Sequence, residues 1–156
     1  MLSKSAQKIQ DILLEKGLQT KVIELPASTR TADEAAKAIG CEVAQIVKSL
    51  IFRTKQTHKA ILVLASGVNR VNEKMIAAQV GEDIVKADAD FTREVTGFAI
   101  GGIPPFGHHQ QIDTYIDKDL LKFKEVWAAA GTPHAVFNLD ASVIETLTGG
   151  KIISIT

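Results

Sequence analysis

The stretch that most constrains this chain is Gly97-Phe98-Ala99-Ile100-Gly101-Gly102-Ile103-Pro104-Pro105-Phe106-Gly107-His108-His109. Four of the chain's 11 glycines and two of its four prolines fall inside it, so the backbone here must turn sharply and then hold its shape. Phe98-Ala99-Ile100 reads as a short buried strand that leads into Gly101-Gly102, where φ > 0 and close approach to a ligand are both open. Pro104 and Pro105 fix φ and remove two N–H donors, which stiffens the loop. The N–H groups of Gly101, Gly102 and Ile103 are left to converge on one point. That arrangement suits a carbonyl oxygen that gains negative charge during a reaction. A tight structural turn between two strands would use the same composition.

A second stretch, Gln45-Ile46-Val47-Lys48-Ser49-Leu50-Ile51-Phe52, reads as the entry to a buried strand with a lysine set into it. Such a lysine either snorkels to the strand edge or serves a site, because a fully buried lysine is rare. The chain is 156 residues long, which predicts one domain, 1–156, with an ordinary core. Eighteen basic and 18 acidic residues balance to zero, so bulk electrostatics will not hold this protein on nucleic acid. A transient RNA substrate stays open; Lys48, Arg53, Arg70 and Lys74 are local cations, each of which reads first as solvated charge on a strand end or helix face. The single cysteine, Cys41, permits no intrachain disulfide and is expected at a helix end or in the core. The polar start Met1-Leu2-Ser3-Lys4 lacks the apolar core of a signal peptide, and no apolar run is long enough for a membrane span.

Hydrophobic spacing predicts a first helix with Leu2, Ala6, Ile9, Ile12 and Leu13 on one face, capped by Ser3 or Ser5 and stopped at Gly17. A strand around Val22–Leu25 ends at Pro26. Thr31-Ala32-Asp33-Glu34 is a capping box for a helix that stops at Gly40. A helical turn at Val43–Gln45 delivers the chain to a strand over Val47–Arg53, which pairs antiparallel with Ala60–Ala65 across a short turn. Asn72 and Asp88 cap two further helices. Gln111–Ile116, Glu125–Ala129 and Ala135–Leu139 read as strands, with Ala128–Ala130 also compatible with helix. Asp117 and Asp140 are further caps, and Ile152, Ile153 and Ile155 make a terminal strand. The irregular alternation predicts an α/β (α+β) fold and excludes a doubly wound parallel sheet.

The lysine and glycine stretches, in their order and spacing, resemble the YbaK/ProX-type aminoacyl-tRNA deacylases, relatives of the editing domain inserted in bacterial prolyl-tRNA synthetases. The family's lysine motif is similar to Gln45-Ile46-Val47-Lys48-Ser49-Leu50, and its Gly-x-x-x-Pro loop to Gly101-Gly102-Ile103-Pro104-Pro105. Glu34-Ala35-Ala36, Ser66-Gly67, Thr96-Gly97 and Leu147-Thr148-Gly149-Gly150 belong to the same likeness, which runs from about Thr29 to Ile155. It implies a strongly curved mixed sheet, almost a barrel, with helices around it. It also implies trans-editing: hydrolysis of the ester between a small amino acid and the 3′ end of a mischarged tRNA, with tRNA-Pro or a related tRNA as carrier.

On that resemblance Gly101 and Gly102 hold the reacting carbonyl, and Lys48 anchors the terminal phosphate or ribose. Ser66, Gly67, Ile103 and Pro105 join them around the substrate. Thr29, Arg30, Ser66 and Asn69 are polar groups at element ends, where pockets are built. His134, after Pro133, lines the pocket or lies on a surface loop. Cysteine-removing members carry aromatic residues near Thr29; Ser28-Thr29-Arg30 here points instead to a small aliphatic or small polar amino acid. No metal and no other cofactor is expected: His58, His108, His109 and His134 lack ligand spacing, and no Gly-x-Ser-x-Gly elbow exists for a serine triad. The expected partners are the 3′ end of aminoacyl-tRNA and, as a further candidate, an aminoacyl-tRNA synthetase, in the cytoplasm. Two other readings remain open: a non-catalytic module that binds aminoacyl or RNA ends, and a small-ester hydrolase.

Overall fold

The computed structural model describes residues 2–156; Met1, part of the polar start noted above, lies outside the described residues. Helix α1 (Lys4–Glu15) starts where the Ser3 hydroxyl accepts from the Ala6 N–H, and buries Ala6, Ile9 and Leu13. Strand β1 is only Ile23–Glu24, shorter than the apolar run predicted. Helix α2 (Ala32–Ile39) begins at Thr31, whose Oγ1 accepts from the Glu34 N–H. The box is half formed, because the Glu34 carboxylate takes the Thr31 hydroxyl proton (3.0 Å) rather than its backbone N–H. Gly40, at φ 87°, closes the helix in the left-handed region. A 3-10 turn, Val43–Gln45, feeds strand β2 (Ile46–Thr54), and β3 (Ala60–Ser66) returns antiparallel to it.

Helix α3 (Glu73–Val80) is capped by Asn72, strand β4 is Ile84–Lys86, and α4 (Ala89–Thr96) is capped by Asp88. Strand β5 is Asp113–Asp117, and Asp117 caps a 3-10 turn that follows it. Strands β6 (Glu125–Ala129) and β7 (Ala135–Asp140) form an antiparallel pair, so Ala128 and Ala129 are extended, not helical. Asp140 caps a short turn before α5 (Ile144–Thr148), and β8 is Lys151–Ile153.

The eight strands form one mixed sheet in the order β1-β7-β6-β2-β3-β5-β8, with β4 also pairing β2. The sheet is open: β1 and β8 stand at opposite ends of that order. Pairs β2–β6, β3–β5 and β5–β8 are parallel and the rest antiparallel. Alternation along β2 and β3 divides their side chains between two apolar layers. Val47, Ile51, Leu62 and Leu64 join α1, Phe98, Ile103, Phe106 and Phe137 in the main core. Phe52, Ile61, Val63 and Ala65 face Ile76 of α3 and Ile155.

One feature of the pairing makes room for a site. Strand β6 touches β2 only at Ile46 and Val47, and β4 touches it only at Phe52–Thr54. Between them the Lys48–Leu50 segment has β3 on one side and no strand on the other. The Gly97–Gly107 stretch lies over this gap, backed by α1. It is not led by a strand, as its apolar start predicted. The Phe98 N–H goes to the Thr96 hydroxyl (3.0 Å), the Gly102 N–H turns back to the Ala99 carbonyl (3.0 Å), and Ile100 is half exposed. Only Phe98 of the three is buried, with the Lys8 ammonium 5.2 Å from its ring centre.

Candidate active site

The gap beside β2 opens into a cleft of about 300 Å³ lined by Lys48 and Gly101 together, although 53 positions (101 − 48) separate them. Thr29, Arg30 and Ile103 line it as well, and Ala35, Ile39, Ile46 and Trp127 supply apolar wall. Lys48 leaves β2 on the face that also carries Ile46 and Leu50. Its ammonium donates to the Asn69 backbone carbonyl (2.6 Å). An ammonium has three N–H donors, and Asn69 takes one of them.

Behind Asn69 stands a buried carboxylate. Asp117 Oδ2 accepts from the Ser66 N–H (2.9 Å) and from Asn69 Nδ2 (2.8 Å), and Oδ1 accepts from the Asp119 N–H (2.9 Å). Asp117 is 1% exposed, so three donors are what keep a carboxylate there tolerable. Burial pushes the Lys48 ammonium below the ordinary lysine value, while the Asp117 and Asp33 carboxylates pull it back up. The lysine is thus partly desolvated yet held beside negative charge.

The glycine loop contributes fewer open donors than its composition suggested. The Gly102 N–H is taken by Ala99, and Gly102 itself is buried outside the cleft lining. A Cβ at Gly102 would lie 2.8 Å from Thr132 Cα, and its carbonyl accepts from the Gly131 N–H (2.9 Å), so this glycine joins two loops. The N–H groups of Gly101 and Ile103 have no protein partner among the described residues. Gly101 adopts φ 96°, and the Arg30 side chain crosses it so closely that a Cβ would sit 2.8 Å from Arg30 Cγ. The Thr29 hydroxyl donates to the Pro133 carbonyl (2.8 Å), which binds the Pro26–Arg30 loop to the same 131–134 turn.

Other sequence candidates stand apart from the cleft lining. Ser66 is fully buried, its hydroxyl donating to the Ala44 carbonyl (2.8 Å). Gly67 packs against the Val43 carbonyl, where no Cβ fits. Both hold the frame under Lys48. Pro105 lines a separate polar cavity with His108 and His109. His134 is exposed, with Nδ1 3.3 Å from the Ala27 carbonyl, and braces the loop that carries Thr29. Cys41 is half-buried, and burial pushes its thiol up, which favours the unreactive form. Among the described residues no group of three or more His, Cys, Asp or Glu is placed to hold a metal ion.

Two features of the site escaped the sequence. Asp117 reads as a helix cap, which it is, but its second role depends on partners 51 and 48 positions away. Ser49 carries a buried hydroxyl with no hydrogen-bond partner among the described residues, at the edge of the cleft.

A mixed sheet with a lysine strand and a glycine–proline loop lining one cleft is what the resemblance to editing domains implied, and the comparisons with known proteins show the family. Residues 26–147 match the model of the aminoacyl-tRNA editing domain, and the chain belongs to that family. A solved structure described as a candidate trans-editing enzyme for prolyl-tRNA synthetase is 46% identical, with a TM-score of 0.93, covering 100% of this chain and 99% of that one. An uncharacterized protein of Bacillus subtilis (strain 168), YwhH, is 28% identical over 134 residues, 86% of this chain and 85% of that protein. The proline–tRNA ligase of Limosilactobacillus fermentum is 33% identical over 94 residues, which is 58% of this chain and 16% of the ligase. Among the described residues no helix is long and apolar enough to cross a membrane.

Proposed function

We propose that this chain, acting as one editing domain, hydrolyses the ester that joins a small amino acid to the 3′ end of a mischarged tRNA. The observation that carries the reading is that Lys48, Gly101 and Ile103 line one cleft, and that the Gly101 and Ile103 N–H groups have no protein partner among the described residues. The ester carbonyl oxygen lies against those two amides, which stabilise it as it becomes an oxyanion. Lys48 acts as a charged anchor for the terminal ribose or its phosphate. The Asp117 and Asp33 carboxylates support its charged form. Water adds to the carbonyl carbon, the bond to the ribose oxygen breaks, and that oxygen takes up the proton the water gives. The products are the free amino acid and the tRNA 3′-hydroxyl. The substrate's own 2′-hydroxyl or amine is the group that activates the water.

The wall of Ala35, Ile39, Ile46 and Trp127 supports a small apolar side chain, and the Thr29 hydroxyl is already committed to Pro133. Likeness to a candidate trans-editing enzyme for prolyl-tRNA synthetase supports tRNA-Pro as the carrier, a prolyl-tRNA synthetase as the further partner and the cytoplasm as the place of action. The test is single-turnover deacylation of a panel of mischarged tRNAs by the purified protein. Release of a small amino acid from tRNA-Pro, much faster than spontaneous hydrolysis, is expected. Tight binding of the charged tRNA ends without turnover would replace this reading with the non-catalytic module.

A further inference from the structure

A second cavity, of about 210 Å³, adjoins the cleft and shares Ser49, Leu50, Ile100 and Ile103 with it. The half-exposed Ile100 side chain therefore stands between two parts of one groove that follows the unpaired side of β2. The far part is not a second amino-acid pocket in character. Arg70 and Lys86 line it, both exposed, and neither has a carboxylate within ion-pair distance among the described residues. Among the described residues Glu73 is the one acidic side chain in its lining. Leu50, Phe52 and Val71 give the same cavity apolar surface.

We propose that this second cavity takes the penultimate nucleotide of the tRNA 3′ strand, with Arg70 and Lys86 on its phosphates and its base against the apolar surface. The inference rests on the proposed function, since it needs the terminal nucleoside in the Lys48 cleft. Charge and shape support it separately. A single strand is held by cations that follow its backbone and by flat apolar contact with its bases. Here two cations and an apolar floor lie one step along the groove from the cleft. A net charge of zero over the whole chain is consistent with contacts this local.

The test uses uncharged RNA, so that it does not depend on turnover. Adenosine, CpA and CpCpA, ending like the common tRNA 3′ terminus, are titrated into the full chain and followed by amide NMR. In the wild type the second nucleotide is expected to raise affinity tenfold or more and to shift the Arg70 and Val71 amides. In Arg70→Gln/Lys86→Gln, which keeps both stems, that gain is expected to vanish. The salt dependence of CpCpA binding should also flatten, by about 0.7 in log–log slope for each phosphate no longer neutralised by a side chain. A gain that is absent in the wild type, or undiminished in the double variant, overturns the inference. If the wild type deacylates mischarged tRNA while showing no gain, the groove falls and the activity stands. If the gain is present and variant-sensitive without any deacylation, the groove stands and the activity falls.

Discussion

At Lys48 two opposing influences meet: loss of water, which disfavours the ammonium, and the carboxylates of Asp117 and Asp33, which favour it. Replacing Lys48 by Ala removes the charge without opening the core. Single-turnover deacylation is expected to fall by about a hundredfold or more, with stability changed by only about 0.5 kcal/mol. Lys48→Arg should not restore full rate, because a planar fork cannot stand in for a compact ammonium beside Asn69. Wild-type rates in Lys48→Ala would remove the residue from the mechanism. Asp117→Asn tests the support behind it. The carboxylate receives donors on both oxygens, so an Asn must turn its own N–H₂ toward one of them. A loss of about 1–3 kcal/mol is expected by denaturant unfolding, together with slower deacylation as Asn69 and its bond to Lys48 shift. Unchanged stability would show that the three bonds contribute little.

Among the elements, the loop that closes the cleft is held by its neighbours more than by its own sequence. Gly102 meets the 131–134 turn so closely that Ala at this position must push Thr132 backbone away. In Gly102→Ala the Gly131 amide, which donates to the Gly102 carbonyl, should exchange faster with solvent, and deacylation should slow with it. Protection of Gly131 at the wild-type level would show that the two loops are not tied. Elements with local signals were legible in the sequence. Ser3, Asn72, Asp88 and Asp140 cap as their residue types predict, and β2 and β3 pair across their short turn. The family and a mixed α/β sheet were legible too, through the resemblance, although the sheet expected to be almost a barrel is open. What could not be read depends on distant partners. Phe98–Ile100 looks like a strand, but only Phe98 finds the core, and the turn to Gly102 takes one of the three amides assigned to substrate. Nothing near Asp117 in the sequence announces Ser66 or Asn69, and nothing near Trp127 announces the cleft.

Over the whole molecule, acid should act in two stages. His108 is half-buried, with Nε2 2.7 Å from the Pro104 carbonyl; since a carbonyl only accepts, that nitrogen carries the proton. Burial, with the Lys8 charge adding to it, pushes His108 below the ordinary histidine value of 6.5, against the pull of Pro104. The unfolded chain therefore binds this proton first, and stability falls as pH drops below about 6.5. Glu82, Asp119 and Asp140 are held below ordinary carboxylate values by hydrogen bonds from Thr57, Asn69 and Ser142 respectively, so their contribution is lost later, as pH falls through the carboxylate range. Thermal unfolding between pH 7.5 and 3 should show both declines, and His108→Asn should remove only the first. An unaltered first decline in that variant would assign it elsewhere. The topology carries a further consequence, for the order in which the protein is made. The tie from Thr29 to Pro133 spans 104 positions, and β2 meets β6 only at Trp127 and Ala128. A growing chain thus displays Lys48 and then the glycine loop long before their far wall has been synthesised. Contacts of such separation form late. The cleft proposed for editing is therefore finished only after residues 127–133 have been made, and a nascent chain that stops short of them lacks the wall that would hold a charged tRNA end.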